Sequence, residues 1–144
     1  MKALPKSPQL LAAGLALFLG SCGGSGDVTV TDVWSRPVPP VSPNSAVFLE
    51  IANDTDSPVT LTGASSDACR SMELHETMMD DSGVMAMQEL AAGLRLEPGS
   101  SGLLAPGGIH LMCVEPKVFE GSFEVELIID GAHDIAASVT IEDR

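Results

Sequence analysis

Phe123-Glu124-Val125-Glu126-Leu127-Ile128-Ile129-Asp130-Gly131 carries the pattern of a half-buried strand closed by a turn. Phe123, Val125, Leu127 and Ile129 alternate with Glu124 and Glu126, the period of two that puts one set on a buried face and the other in water. Asp130-Gly131 then supplies a turn. Elsewhere, Ala137, Val139 and Ile141 alternate with Ser138 and Thr140, and Val47, Leu49 and Ile51 point one way. Further turn signals lie at Asn53 to Pro58, Asp80 to Gly83, Pro98 to Gly102 and Pro106-Gly107-Gly108. Pro37, Pro39, Pro40 and Pro43 forbid a helix between the first strand and the second. Only Gln88 to Leu96 could make a turn or two of helix. Short strands at this spacing predict an all-β chain, an antiparallel β-sandwich or barrel in a single domain.

The length of 144 residues is one domain's worth. Seven Lys and Arg stand against 20 Asp and Glu, a net charge of −13. So acidic a chain has no cationic surface on which to release phosphate counterions, which argues against nucleic acid as a partner. It also disfavours a polybasic membrane-surface module. The apolar fraction of 44% is too high for a disordered acidic tail. One oddity remains: seven Met outnumber one Trp and four Phe together.

Lys2 and Lys6 precede an apolar run from Leu10 to Gly20, which is roughly half of what a membrane-spanning helix needs. The run reads as a secretory signal. Leu19-Gly20-Ser21-Cys22 resembles a bacterial lipobox, in which Cys22 is lipidated; an ordinary signal peptide with a Cys near its cleavage site is the alternative. The expected organisation is a lipoprotein signal peptide over 1–21, a lipidated Cys and flexible tether over 22–27, and a β domain over 28–144. By the same resemblance, Gly23 favours the outer membrane over the inner. Losing Lys2 and Lys6 leaves a mature charge of −15. Export to an oxidising periplasm raises the question of a disulfide between Cys69 and Cys113.

Met72, Met78, Met79, Met85, Met87 and Met112 all fall in a 41-residue window with His75 and His110. Met is a gap-filler of cores, yet the strands outside this window use Val, Leu, Ile and Phe. Alternation puts Met72 with Leu74 on one face, as core, and His75 with Glu73 and Thr77 on the other. A hairpin about Asp80-Asp81-Ser82-Gly83 returns through Val84 to Glu89 and brings position 87 or 88 opposite position 75. His110 and Met112, two apart, share a side. Two imidazoles and two thioethers can thus converge. Without thiolate or carboxylate, that donor set suits Cu(I); zinc more often recruits Cys or Asp/Glu, and calcium needs a run of oxygens.

On these residues the chain resembles the PCu(A)C family of periplasmic copper chaperones, whose pattern is His, ten residues, Met, about 21 residues, then H-x-M. The resemblance rests on Asp32-Val33-Trp34-Ser35-Arg36-Pro37, Ala46 to Asn53, Glu73-Leu74-His75-Glu76, Val84-Met85-Ala86-Met87 and Gly107-Gly108-Ile109-His110-Leu111-Met112. Each gap here is one residue longer, 11 and 22, which the turns at Asp80 to Gly83 and near Pro98-Gly99 absorb. The resemblance implies a cupredoxin-like fold holding one Cu(I) near its surface on His75, Met87, His110 and Met112. Met85 is the alternative to Met87 as ligand. It also implies a non-enzymatic carrier handing copper on, often toward cytochrome c oxidase subunit II or its assembly factors; a monomer is expected.

Met78, Met79 and Met85 are auxiliary ligands or merely exposed. Glu73, Glu76, Asp80 and Asp81 make an acidic rim, favourable to a cation or a basic partner. His133 belongs to a turn. If the strands of the metal site are neighbours, a Cys69–Cys113 disulfide is feasible; free Cys113 as a ligand or exchange thiol is the alternative, although alternation turns it away from His110 and Met112. A thiol-disulfide oxidoreductase built on the two cysteines lacks C-x-x-C and an activating helix. A copper-independent lipoprotein interaction module is the third reading.

Overall fold

The computed structural model describes residues 26–144; the expected leader over 1–21 and Cys22 lie outside the described residues. Ten strands follow in order: β1 (Val28–Ser35), β2 (Asn44–Asn53), β3 (Val59–Ser65), β4 (Ser71–Met79), β5 (Met85–Glu89), β6 (Leu94–Leu96), β7 (Ser100–Leu104), β8 (Ile109–Val114), β9 (Ser122–Asp130) and β10 (Ile135–Ile141). Among the described residues there is no helix.

Hydrogen bonding links the strands as β5-β4-β8-β2-β1-β10-β9-β3-β6, with β7 also on β2. Every pairing is antiparallel except one: β1 runs parallel to β10, with Trp34 beside Thr140. Alternation within a strand specifies which face a side chain takes. It does not specify the direction of the neighbouring strand, so the mixed character of the sheet was not readable from the pattern.

Strand β9 realises its alternation fully: Phe123, Val125, Leu127 and Ile129 are buried, and Glu124, Glu126, Ile128 and Asp130 are exposed. These side chains meet Val47, Leu49 and Ile51 of β2, Leu61 of β3, Leu74 of β4, Leu111 of β8 and Val139 of β10 in one core. The sheet therefore curls into a β-sandwich. A wholly buried side chain such as Leu127 contributes about 1.5–3 kcal/mol through removal from water. Met72 belongs to this core. Cys69 and Cys113 also lie within it and are joined by a disulfide with their Cα atoms 5.4 Å apart, tying the entry of β4 to β8.

The stretch Gln88 to Leu96 is not helical. Gln88 and Glu89 complete β5, Gly93 makes a turn at φ 75°, and Leu94–Leu96 pairs with Val59–Leu61. The open edge of β3 offers a hydrogen-bonding ladder that outweighs any local helical preference.

Candidate metal centre

The core-facing residues of β2, β8 and β4 fix what the opposite face of those strands presents. With Val47, Leu111 and Leu74 inside, Phe48, His110 and His75 point to the outer face. There they continue a row begun by Trp34, which pairs with Phe48 across β1 and β2. Ring centroids are 4.8 Å apart for Trp34–Phe48, 6.4 Å for Phe48–His110 and 6.1 Å for His110–His75. His75 and His110 are direct partners in the β4–β8 ladder. All four rings are buried although they lie outside the main core.

Hydrogen bonding determines which nitrogen of each imidazole keeps its lone pair. His75 Nε2 lies 2.9 Å from Glu73 Oε2; a carboxylate only accepts, so Nε2 carries the proton. His75 Nδ1 is then the free lone pair, and among the described residues it is the buried side-chain nitrogen or oxygen without a hydrogen-bond partner. An orphaned buried acceptor is costly unless something else satisfies it. His110 Nδ1 donates to the carbonyl of Gly108 at 3.1 Å, which leaves Nε2 as its lone pair. The same carbonyl accepts from the Thr77 backbone N–H at 3.1 Å, so the turn at Pro106-Gly107-Gly108, with Gly107 at φ 81°, braces both β4 and the ring. Holding one ring nitrogen by a hydrogen bond while the other faces the site is the usual arrangement of a metal-binding imidazole.

Met112, two residues beyond His110, faces Glu73 on β4 and Ala46 on β2. Met112, Met87, His110, Phe48 and Arg36 line a groove of about 280 Å³. A second hollow shares Arg36, Phe48, Met87 and His110 and adds Thr77 and Gly107. Met87 is 63% exposed while His110 is 4% exposed, so one thioether stands at the mouth and one imidazole at the floor.

The β4–β5 register differs from the expected one. Met87 faces Thr77, and His75 faces Glu89, one residue beyond the expected 88 and two beyond 87. Asp80 causes this: its Oδ1 accepts from the Ser82 N–H, the Ser82 hydroxyl and the Val84 N–H, closing a longer loop over Asp80–Val84. These bonds, that of the Ser82 hydroxyl foremost, hold the Asp80 carboxyl below the usual carboxylate range. Because Met87 stands two residues before Glu89, it keeps the face of His75 and becomes its diagonal neighbour. Met85 shares that face, nearer the tip and opposite Met79. Met78 lies on the other face, where its sulfur accepts from Gln88 Nε2 at 2.8 Å. His133 is exposed in the turn between β9 and β10.

Two side chains acquire roles beyond the sequence reading. Glu73, expected only in an acidic rim, holds His75; its position two before the histidine was the available signal. Arg36 places a cation on the groove beside Met87 and His110; the Asp32–Pro37 segment that contains it was noted for its resemblance, without a place at the site.

The LpqE-like family, described as "Putative lipoprotein LpqE-like", matches residues 28–141. The chain belongs to the LpqE-like family. A curated relative, "Putative lipoprotein Lxx21020" from Leifsonia xyli subsp. xyli (strain CTCB07), is 36% identical over 62% of this LpqE-like chain. The chain spans about half the length of that relative, 52%. Among solved structures, the "Copper-bound PCuAC domain from PmoF2" is similar at 20% identity and TM-score 0.68, covering 83% of this chain and 96% of its own. "CuI-DR1885" from Deinococcus radiodurans is similar at 22% identity and TM-score 0.63, covering 85% and 83%. At these identities the likeness shows the fold: this LpqE-like chain has the β-sandwich of PCuAC domains.

Proposed function

We propose that this domain carries one Cu(I) on His75, His110, Met112 and Met87 and passes it to another protein. The observation that carries the reading is the opposed histidine pair, with the His75 Nδ1 lone pair buried and unpartnered beside a thioether-lined groove. Imidazole–metal bonds of about 2 Å suit an ion lodged between two such rings. Neutral nitrogen and thioether donors match a soft, monovalent ion. The fold shared with a copper-bound PCuAC domain and with CuI-DR1885 supports the same reading.

Carriage requires release as well as binding. Three donors are held by the sheet, whereas Met87 sits exposed on β5, an edge strand, where a flexible thioether can exchange with a ligand of the recipient. Glu76, Asp80 and Asp81 on the neighbouring surface favour approach of a cation or a basic partner. The recipient we propose is a copper-accepting protein of respiratory assembly, cytochrome c oxidase subunit II or a factor that loads it. The domain works outside the cytoplasm, anchored through lipid on Cys22.

An exchange role for the cysteines is disfavoured by their burial, 4% and 1% exposed. Competition for Cu(I) between the protein and a chromophoric chelator tests the proposal. One equivalent bound tightly, and lost in a His110→Ala, Met112→Ala double variant, is the expected result; unchanged affinity in that variant would sink the assignment and favour a copper-independent interaction module.

A further inference from the structure

Five of the eight exposed large hydrophobic residues among those described, Met78, Met79, Val84, Met85 and Met87, crowd into one hairpin. Burial does not account for them. Met79 and Met85 are 68% and 60% exposed, yet the fold holds them directly opposite each other next to the turn. The turn itself is stiff: Asp80 N–H donates to the Val84 carbonyl at 3.0 Å, the Gly83 N–H donates to Asp80 at 2.9 Å, and the Asp80 side chain accepts three further bonds. Gly83, at φ 83°, supplies the left-handed residue it needs. A rigid device thus keeps two thioethers paired in water.

A docking surface for an apolar partner would be served as well by Leu or Ile. What Met adds is sulfur. The register places Met79 and Met85 on the same face as Met87 and His75, with Met85 one strand repeat, about 7 Å, from Met87. Thioether side chains with three rotatable bonds span such a gap.

We propose that Met79 and Met85 form a second, weaker soft-metal site at the hairpin tip, which collects Cu(I) and passes it inward through Met87. This rests on the copper reading above. In each transfer the Cu–S bonds to Met79 and Met85 break in turn as a bond to Met87 and then one to an inner donor form; copper stays monovalent throughout. Two thioethers without imidazole hold the ion loosely, as a point of entry requires.

The test uses Ag(I), a soft monovalent ion that does not change oxidation state, titrated into the protein carrying ¹³C-methyl methionine. The Met87 and Met112 methyl resonances move over the first equivalent and those of Met79 and Met85 over the second, while buried Met72 and opposite-facing Met78 stay still. Met79 and Met85 signals that remain fixed through two equivalents overturn the proposal. Movement of Met79 and Met85 with Met112 fixed supports the tip site and removes the inner one, so the two failures are distinct. In a second arm, a Met79→Leu, Met85→Leu variant takes Cu(I) from a chelator up to about ten-fold more slowly, a change within the span of on-rates among variants of one site. Its affinity for the first equivalent is unchanged and a Met78→Leu control loads normally; equal loading rates in the double variant and the parent overturn the relay.

Discussion

His75 of β4 and His110 of β8 are direct cross-strand partners, their ring centroids 6.1 Å apart and their planes inclined at 51°. Each ring is pinned through one nitrogen, His75 by Glu73 and His110 by the Gly108 carbonyl, and so each has its other nitrogen free. The pairing follows from the core: Leu74 and Leu111 are buried partners on the inner face, which forces the adjacent histidines outward together. A buried pair of imidazoles beside two thioethers is the basis of the proposed copper site.

Glu73 is a positioning residue in this account. Replacing it, Glu73→Ala, frees the His75 ring and lowers Cu(I) affinity by about 10–100-fold, the usual effect of losing a partner that orients a metal-binding histidine. Glu73→Gln retains an acceptor for the Nε2 proton and recovers most of the loss. Chelator competition measures both; equal affinity in the Ala variant and the parent contradicts the role.

The Cys69–Cys113 disulfide closes a sequence separation of 44 residues. Its removal by Cys69→Ala, Cys113→Ala lowers stability by about 4 kcal/mol on the chain-entropy model. Denaturant unfolding reads the change as a fall in midpoint. A loss below about 1 kcal/mol, the scale of an ordinary surface substitution, contradicts the bridge as a main tie.

Asp80 gives the hairpin an acid limit. Its carboxyl is held below the usual range by the Ser82 hydroxyl and the Val84 N–H, so the carboxylate favours the folded turn. The sign follows: this contribution is present above the ordinary Asp value of about 3.9 and is lost as pH falls through the lowered value. Protection of the Ser82 and Val84 amides, taken relative to their intrinsic exchange rates, falls on acidification below that point in the parent. It is already low at neutral pH in Asp80→Ala; protected amides in that variant contradict the assignment.

Trp34, the single indole of the chain, stands one ring from Phe48 and two from His110. Its emission changes when the site fills. Phe48→Ala removes the intervening ring and costs about 3–5 kcal/mol, the range for deleting a buried aromatic side chain. An emission spectrum insensitive to one equivalent of Cu(I) contradicts the proximity of site and row.

Much of this was legible in the chain itself because period-two alternation is a direct imprint of a half-buried strand. Phe123 to Ile129 shows it without a break, and the same rule put His110 beside Met112 and Met72 in the core. Two kinds of information were not local. Whether β1 meets β10 parallel or antiparallel depends on chain path, and Leu94–Leu96 became a strand because β3 had an edge to pair. The hairpin register escaped for another reason. Asp80 reads as a turn residue, but only its three accepted bonds show that the loop runs to Val84 and slides Met87 opposite Thr77. Arg36 reaches the groove from beyond the end of β1, where no spacing within a strand could place it.

The most direct test is X-ray absorption at the copper edge of the protein loaded with one equivalent of Cu(I). A monovalent edge and a first shell that mixes imidazole nitrogen with thioether sulfur are expected. The sulfur contribution falls in Met112→Leu and the nitrogen contribution falls in His110→Ala. A shell of oxygen and nitrogen alone, or one unchanged by both substitutions, contradicts it.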